Sequence, residues 1–316
     1  MKLGIIMDPI NEIDIKKDSS FAMLLAAQKR GWSIHYMESD DLYMDNEIPK
    51  ARMQFLEVKE NPKKWFKLDK EYIDEISSLD VILMRKDPPF NLEYIYSTYI
   101  LEHAQKLGVY VVNNPESLRT VNEKFFITYF PACIPPTIVS KNIKFLFEFI
   151  QKQNDVIIKP LDSMGGAGIH HIKKTNKDIK AVLKLITKNG NECVMGQKFI
   201  PEISLGDKRI LLIDGKPIPY ALARIPSPIN QKGNLVQGAT AKGIGLTERD
   251  NFICNIVGPE LKKMGLTFVG IDIIGDYLTE INVTSPTCIK ELDNIFNIKI
   301  ADKLMNVIEK KTKEII

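Results

Sequence analysis

Three oxygen-bearing side chains, Asp272, Glu280 and Asn282, stand within the stretch 269–287, VGIDIIGDYLTEINVTSPT. On an extended strand side chains two apart share a face, so Glu280 and Asn282 point one way while Ile281 and Val283 point into a core. Gly275-Asp276 between two apolar runs reads as a tight turn folding 270–274 against 277–283 as a hairpin. The turn length decides the chemistry. A two-residue turn sets Asp272 opposite Thr279 and leaves Glu280 on the other face, whereas three loop residues, Gly275 to Tyr277, bring Asp272 directly across from Glu280. Two acids and an amide then converge as hard oxygen ligands, suited to Mg²⁺ held jointly with nucleotide phosphates rather than to zinc or iron. A solvated polar strand face accounts for the same stretch taken alone.

Cations at strand ends supply the complement. Lys159 closes the apolar strand 156–159 before Pro160, and a lysine there is costly to desolvate unless an anion such as phosphate pairs with it. The following run, Asp162-Ser163-Met164-Gly165-Gly166-Ala167-Gly168, is a glycine-rich turn between two strands, able to close backbone N–H groups over phosphate oxygens. It lacks the GK[ST] of a Walker A loop and no helix follows it, and a plain flexible hairpin turn explains it in isolation. Beside Lys124, Lys159 and the acidic hairpin, a lid over phosphate explains it better. Arg209 and Arg224 sit on otherwise apolar strands, where a guanidinium fork usually grips a carboxylate or phosphate. Arg85-Lys86-Asp87-Pro88-Pro89 follows the strand 81–84, at the carboxyl end where open α/β sheets bind ligands; a plain charged turn is the other reading.

These positions need elements to hold them. A short strand at 2–7, a helix capped by Asp18 or Ser19 and stopped at Gly31, and a strand at 33–37 make a β-α-β opening, hence a parallel sheet, without the GxGxxG of a dinucleotide fold. Residues 40–78 read as an irregular excursion. A helix at 94–107 and a strand at 109–112 complete the N-terminal sheet, and 115–126 is expected as a helix carrying Lys124. The sheet signal restarts after Pro135-Pro136, with helices at 143–151 and 176–187 and strands at 156–159, 169–172 and 193–197. A hairpin about Asp214-Gly215 pairs 207–213 with 216–223. Residues 225–246 carry four glycines and no periodicity, which predicts a lid rather than a plain loop. A helix opens at Thr247 with Asp250 completing a capping box, and a terminal helix spans roughly 298–314.

Composition narrows the classes. The 316 residues are 44% hydrophobic and 26% charged, enough for two or three cores, and the net charge of +3 is dispersed, giving no basic stripe for nucleic acid. No apolar run reaches membrane-spanning length and the opening apolar run is too short for a signal peptide, so a cytoplasmic protein is expected. Four separated cysteines, Cys133, Cys193, Cys254 and Cys288, are expected as free buried thiols, and His170 and His171 as structural.

In this order Lys159, the glycine turn, Arg209, Arg224 and Asp272-Glu280-Asn282 resemble the ATP-grasp ligases, and more closely the bacterial glutathione synthetase family. The resemblance runs nearly end to end, through KLGIIMDPI, KKDSSFAMLLAAQ, DVILMRKDPPF, NEKFF, IIKPLDSMGGAGI, GDKRILLIDGKPIPYALARIP and the metal-site stretch. It implies an α/β fold with an N-terminal parallel-sheet domain at 1–122 and two α+β lobes, 123–200 and 201–316, enclosing the nucleotide. It also implies ATP-dependent joining of glycine to γ-glutamylcysteine through an acyl phosphate, Mg²⁺ or Mn²⁺ as a pair of ions, and a homotetramer. Carried over by position, Lys124, Lys159 and the run Gly165, Gly166, Ala167, Gly168 would hold phosphates, and Gln197, Lys198, Phe199 and Ile200 would flank adenine with Asp207 near the nucleotide. Arg209 and Arg224 would bind the charged groups in flight, Asp272, Glu280 and Asn282 the metal, and Arg85, Arg224, Ser285 and Thr287 the substrate.

The chain departs from the family in its lid. Gly233-Asn234-Leu235 is followed by Gly238-Ala239-Thr240 where a Gly-Gly-Arg run is usual, and Lys242 or Lys232 is the nearest cation able to take part of the missing role. Two alternatives stay open: another ATP-grasp ligase of the D-alanine–D-alanine or glutamate-adding type, and a nucleotide-binding protein without catalysis.

Overall fold

The computed structural model describes residues 1–226 and 240–315. Among them the strands form three sheets. The first holds β1 (Lys2–Ile6), β2 (Ser33–Met37), β3 (Leu42–Asp45), β4 (Ile48–Val58), β5 (Phe66–Leu68), β6 (Tyr72–Glu75), β7 (Val81–Met84) and β8 (Tyr110–Val112). The second holds β9 (Thr137–Ser140), β10 (Asp155–Pro160), β11 (His170–Lys173) and β12 (Val194–Lys198), and the third β13 (Asp207–Ile213), β14 (Lys216–Ile225), β15 (Thr240–Gly245), β16 (Phe268–Ile274) and β17 (Tyr277–Asn282). The helices are α1 (Ser19–Lys29), α2 (Leu92–Lys106), α3 (Pro115–Thr120), α4 (Ile143–Gln153), α5 (Ile179–Ile186), α6 (Glu248–Lys263), α7 (Ile289–Phe296) and α8 (Ile300–Ile315).

The centre of the first sheet is parallel, with β1 between β2 and β7 and β8 beyond β7. Near-continuous apolar runs such as VILM in β7, buried at every position, are what a strand covered on both faces requires. The expected β-α-β opening is present: the Asp18 carboxylate accepts the Phe21 N–H at 2.6 Å to start α1, and Gly31 at φ +74° ends it. The irregular excursion of 40–78 holds more order than its pattern suggests, because β4, eleven residues long, pairs in turn with β2, β3, β5 and β6. Its burial alternates, which the mixed sequence concealed.

The other two sheets are antiparallel. The expected hairpin about Asp214-Gly215 joins β13 to β14, and α6 opens with the Thr247–Asp250 capping box, each backbone N–H bonded to the other's side chain at 2.9 and 3.1 Å. Asp250 is fully buried because Lys208 of β13 pairs with it, which ties the helix to the sheet. Two expectations change, and one helix is added. Residues 240–245 are a strand, β15, laid along β14 rather than loop, while 227–239, with Lys232 and Gly233-Asn234-Leu235, lie outside the described residues. The helix expected over 115–126 stops at Thr120, and Lys124 caps a single 3₁₀ turn, Phe125–Tyr129. Helix α7, unread in the sequence, begins at Cys288, a residue held at φ +88°.

Two apolar clusters weld the first sheet to the third: one runs from Ile6, Met37 and Ile82 to Ile210, Ile271 and Ile281, the other from Leu3, Ile5 and Phe21 to Leu211, Phe268 and Ile289. The second sheet has its own cluster of Leu146, Ile150, Val156, Ile158 and Leu183 under α4 and α5. A polar clamp supplements the weld. Buried Asn113, just past β8, donates to the carbonyls of Phe268 at 2.8 Å and Val283 at 2.7 Å and accepts the Phe268 N–H at 2.9 Å. Asn113→Ala leaves these buried backbone groups unpaired, so a loss of about 3 kcal/mol in unfolding free energy is expected in a denaturant titration.

Candidate active site

The third sheet carries the chemistry. In β16 and β17 Asp272 stands directly opposite Glu280, as three loop residues were expected to place it, but the turn is the two-residue Gly275-Asp276 with Ile274 facing Tyr277. The register shifts between Asp272 and Ile273, so Thr279 is an extra residue, and this bulge restores the facing pair that a two-residue turn alone would lose. Ile281 and Val283 are fully buried behind it, as the alternation predicts.

Across the same sheet Asp272 faces Arg209 of β13. Arg209 grips both oxygens of the carboxylate, the Nη2 to Oδ2 contact at 2.8 Å, and Arg224 of β14 reaches Oδ2 at 2.9 Å while clasping Asp207 with Nε to Oδ1 at 3.0 Å. All four side chains are nearly out of water. Burial alone would raise the Asp272 carboxyl, but the two guanidiniums overcome it and hold the group well below the ordinary carboxylate range. Asp207 has a single close guanidinium, and burial wins there and raises it. Arg209 and Arg224 are thereby pre-aligned side by side, a cationic pair in a dry setting.

Asp272 therefore differs from the other two positions of the predicted metal set, since both its oxygens already accept from arginine. Glu280 stays accessible, with Lys124 Nζ at 3.3 Å, and Asn282 Nδ2 donates to the Gly270 carbonyl at 3.2 Å, which leaves its Oδ1 as an acceptor beside Glu280. A carboxylate and an amide oxygen on one face, next to the Lys124 ammonium, are the donor types that fit a hard divalent ion able to complete its shell with other oxygens and water. No group of three or more His, Cys, Asp or Glu side chains arranged to hold a metal occurs among the described residues.

The second sheet hangs above this surface. Lys159, at the end of β10, donates to the Thr279 carbonyl at 3.0 Å, and desolvation pushes its ammonium down to about 8, the nearby Glu280 only partly opposing this. Lys124 donates to the Ser163 carbonyl at the foot of the glycine turn. In that turn Gly165, Gly166 and Gly168 adopt φ of +64°, +77° and +69°, a conformation other residues resist, and a Cβ at Gly168 would meet Pro160 Cγ at 2.9 Å. Gln197 is buried and donates to Thr137 Oγ1 at 3.1 Å, while the N–H groups of Lys198 and Phe199 pair with Pro136 and Asp155 carbonyls at 2.9 Å. Phe199 stacks on His171 at 4.2 Å, His171 also pairs with Asp155, and Ile200 is buried at the exit. Of the predicted substrate contacts, Arg85 and Ser285 are buried and Ser285 donates to Asp87, whereas Thr287 is exposed with its hydroxyl 3.7 Å from Cys288 Sγ. Lys242 is exposed on β15, opposite Ala223.

Sequence reasoning passed over Glu123. Its Oε1 accepts the N–H of Val283 at 2.8 Å, the N–H of Thr284 at 3.0 Å and the Thr284 hydroxyl at 2.9 Å, fixing the backbone where β17 leaves the metal face. Burial, with Glu280 nearby, raises its carboxyl. Only the Asn-Glu-Lys run beside Lys124 hinted at it. One thiol also differs from expectation: Cys193, before β12, is exposed, while the other three are buried and all four are free.

A cation-lined cleft under a glycine-rich turn, with an acid–amide face below, defines an ATP-grasp ligase, and solved structures share the whole architecture. D-cycloserine synthetase superposes with a TM-score of 0.69 at 12% identity over 100% of both chains, and an ATP-grasp ligase solved with its precursor peptide and AMPPNP with 0.64 at 15% over 98% of both. The model of the prokaryotic glutathione synthetase ATP-grasp domain matches residues 123–297 and that of the N-terminal domain residues 1–119, and the chain belongs to the prokaryotic glutathione synthetase family. The glutathione synthetase of Pseudomonas aeruginosa is 52% identical over 308 residues, covering 98% of this chain and 97% of its own. That of Vibrio vulnificus is 51% identical over 311 residues, 98% of each.

Proposed function

We propose that the chain joins glycine to γ-glutamylcysteine with cleavage of ATP to ADP and phosphate, the γ-phosphate passing to the cysteinyl carboxylate to give an acyl phosphate that the glycine amine attacks. The chain is an ATP-dependent carbon–nitrogen ligase of glutathione biosynthesis, and the observation that carries the finer reading is the paired Arg209 and Arg224 beside the Glu280–Asn282 face. A carboxylate and a triphosphate repel each other until cations neutralise them, so catalysis is chiefly positioning and electrostatics.

In this reading Lys124, Lys159 and the backbone of the turn Gly165–Gly168 hold the phosphates, and the junction Gln197–Ile200 borders the adenine. The divalent ions, Mg²⁺ or Mn²⁺, are held by Glu280 and Asn282 and supply charge neutralisation on the phosphate oxygens. Asp272 anchors the two arginines rather than lying open to metal, since they already occupy it. Arg209 and Arg224 bind the carboxylate being phosphorylated, and Arg85 and Ser285 lie toward the rest of the dipeptide. Free thiols suit a reducing, cytoplasmic setting. A tetramer is part of the same reading.

The test is phosphate release from ATP with Mg²⁺, γ-glutamylcysteine and glycine, each omitted in turn. Release that requires both amino substrates and falls by on the order of a hundredfold to a thousandfold in Glu280→Ala is expected. Release without glycine would mean an acyl phosphate lost to water, and none with these substrates would move the reading to a different acid and amine.

A further inference from the structure

Strand β17, which carries Glu280 and Asn282, lies at the end of the third sheet, with β16 along one edge. The N–H groups of its other edge need partners from outside the sheet. Residues 123–133 supply them. The Cys133 carbonyl accepts the Leu278 N–H at 2.8 Å, and the Glu123 carbonyl accepts the N–H of Ile281, the residue between Glu280 and Asn282, at 2.9 Å. Beyond Asn282 the Glu123 side chain continues the series. Its Oε1 takes the N–H groups of Val283 at 2.8 Å and Thr284 at 3.0 Å, and the Thr284 hydroxyl at 2.9 Å. One residue therefore holds the chain on both sides of Asn282, by its main chain before it and by its side chain after it.

More is at stake than closing an edge. Val283 and Thr284 are buried, so without the carboxylate their N–H groups are cut off from water as well as from a partner. Val283 is held from both ends, since its carbonyl accepts from Asn113 Nδ2 at 2.7 Å. The residues flanking Glu123 are fixed too. Asn122 donates to the Leu161 carbonyl at 3.1 Å, and its Oδ1 accepts the N–H groups of Lys124 and Phe125 at 3.1 and 2.8 Å. The same turn sets Lys124 Nζ 3.3 Å from Glu280 Oε1. Residues 122–124 thus form a strap that fixes the backbone carrying both proposed ion donors and the cation beside one of them.

Resting on the reading of Glu280 and Asn282 as ligands of the divalent ion, we infer that Glu123 is a positioning residue for that ion, acting through the backbone of 281–284. Magnesium demands near-ideal octahedral geometry, so donors that are free to drift bind it poorly. Asn282 is the last residue of β17, where a strand anchored along one edge alone is loosest. Groups that orient metal ligands contribute about 10–100-fold in metal affinity. What Glu123 supplies is an oxygen at the right reach, and an amide oxygen in the same place accepts the same N–H groups.

Reach and charge separate in three variants. Glu123→Ala removes the oxygen, Glu123→Asp keeps the charge on a side chain one methylene shorter, and Glu123→Gln keeps the reach without the charge. Mn²⁺ binding is measured with ADP present, the free ion being followed by electron paramagnetic resonance. Glu123→Ala and Glu123→Asp are expected to raise the Mn²⁺ dissociation constant by about tenfold or more, and the Mg²⁺ concentration for half-maximal phosphate release in parallel. Glu123→Gln should stay within about threefold of the unaltered protein. An unchanged dissociation constant in Glu123→Ala or, should that variant not fold, in Glu123→Asp would make the clamp a matter of stability alone and overturn the inference. A loss in Glu123→Gln as large as that in Glu123→Ala or Glu123→Asp would make charge rather than reach the agent, and would overturn it as well. Glu280→Ala serves as the reference: Mn²⁺ binding that survives it would overturn the reading of the ion's ligands, whatever the Glu123 variants do.

Discussion

Lys159→Met is expected to make the ligand-free protein more stable and to weaken its hold on ATP at the same time. The ammonium is buried and its ordinary value of 10.5 falls to about 8, a gap worth about 3 kcal/mol against the charged form. Between about pH 8 and 10.5 the unfolded chain holds this proton and the folded chain does not, so unfolding free energy from Lys159 rises with pH across that window and the penalty is complete below it. Methionine keeps the length of the side chain and removes the charge. It forfeits the bond to the Thr279 carbonyl, worth about 1 kcal/mol, so a net gain of about 2 kcal/mol at pH 7 remains, read as a higher unfolding midpoint. ATP affinity should fall about a hundredfold or more, since phosphate loses a desolvated partner. In the unaltered protein ATP affinity should decline as pH passes upward through 8, where the free lysine gives up its proton. A variant that is destabilised and binds ATP normally would mean that Lys159 is a structural cation paired with Glu280 and not a phosphate ligand.

Asp272→Asn separates two roles for one residue. As the anion between Arg209 and Arg224, its loss strands two guanidiniums in a buried place, and about 3–5 kcal/mol of unfolding free energy should go with it. KM for the peptide substrate should rise as the arginines part, while the Mg²⁺ concentration for half-maximal rate stays near that of the unaltered enzyme. A metal ligand would behave the other way, shifting the Mg²⁺ dependence with small loss of stability. Because the folded carboxyl lies below its ordinary value of 3.8, its stabilisation is present above that value and lost as pH falls below it. Asp272→Asn should therefore flatten the acid limb of the stability profile.

How far the sequence alone reached depended on which interactions were local. The β-α-β opening, the Asp214-Gly215 hairpin and the Thr247 cap were readable because each is written in adjacent residues. The facing of Asp272 and Glu280 was also reached, though by an assumed loop length; a bulge at Thr279 has no short-range signal. Strand β15 escaped because its glycines mimic loop, and what makes it a strand is pairing with β14. Lys124 was placed on a helix because nothing nearby marked the stop at Thr120. The arginine–carboxylate network joins residues 63 apart in sequence for Arg209 and Asp272, beyond any periodicity. Glu123 and Asn113 stayed silent for the same reason, since each bonds groups supplied by distant segments.

The separate core of the second sheet has a thermodynamic meaning. Arg209, Arg224 and Glu280 belong to the body in which the first and third sheets share apolar clusters, whereas Lys159 and the glycine turn belong to a unit with its own cluster. Met195 of β12 is packed into the first of the shared clusters, with Val139 and Leu161 against it, and polar stitches add to that contact: Lys159 to the Thr279 carbonyl, Lys124 to the Ser163 carbonyl and Asn122 to the Leu161 carbonyl at 3.1 Å. A nucleotide gripped from both sides is then a linkage ligand, adding RT ln(1 + [L]/Kd) to the docking of one cooperative unit on another. Part of its binding free energy is spent on that docking, so apparent ATP affinity and the closed population of the second sheet are two readings of one equilibrium.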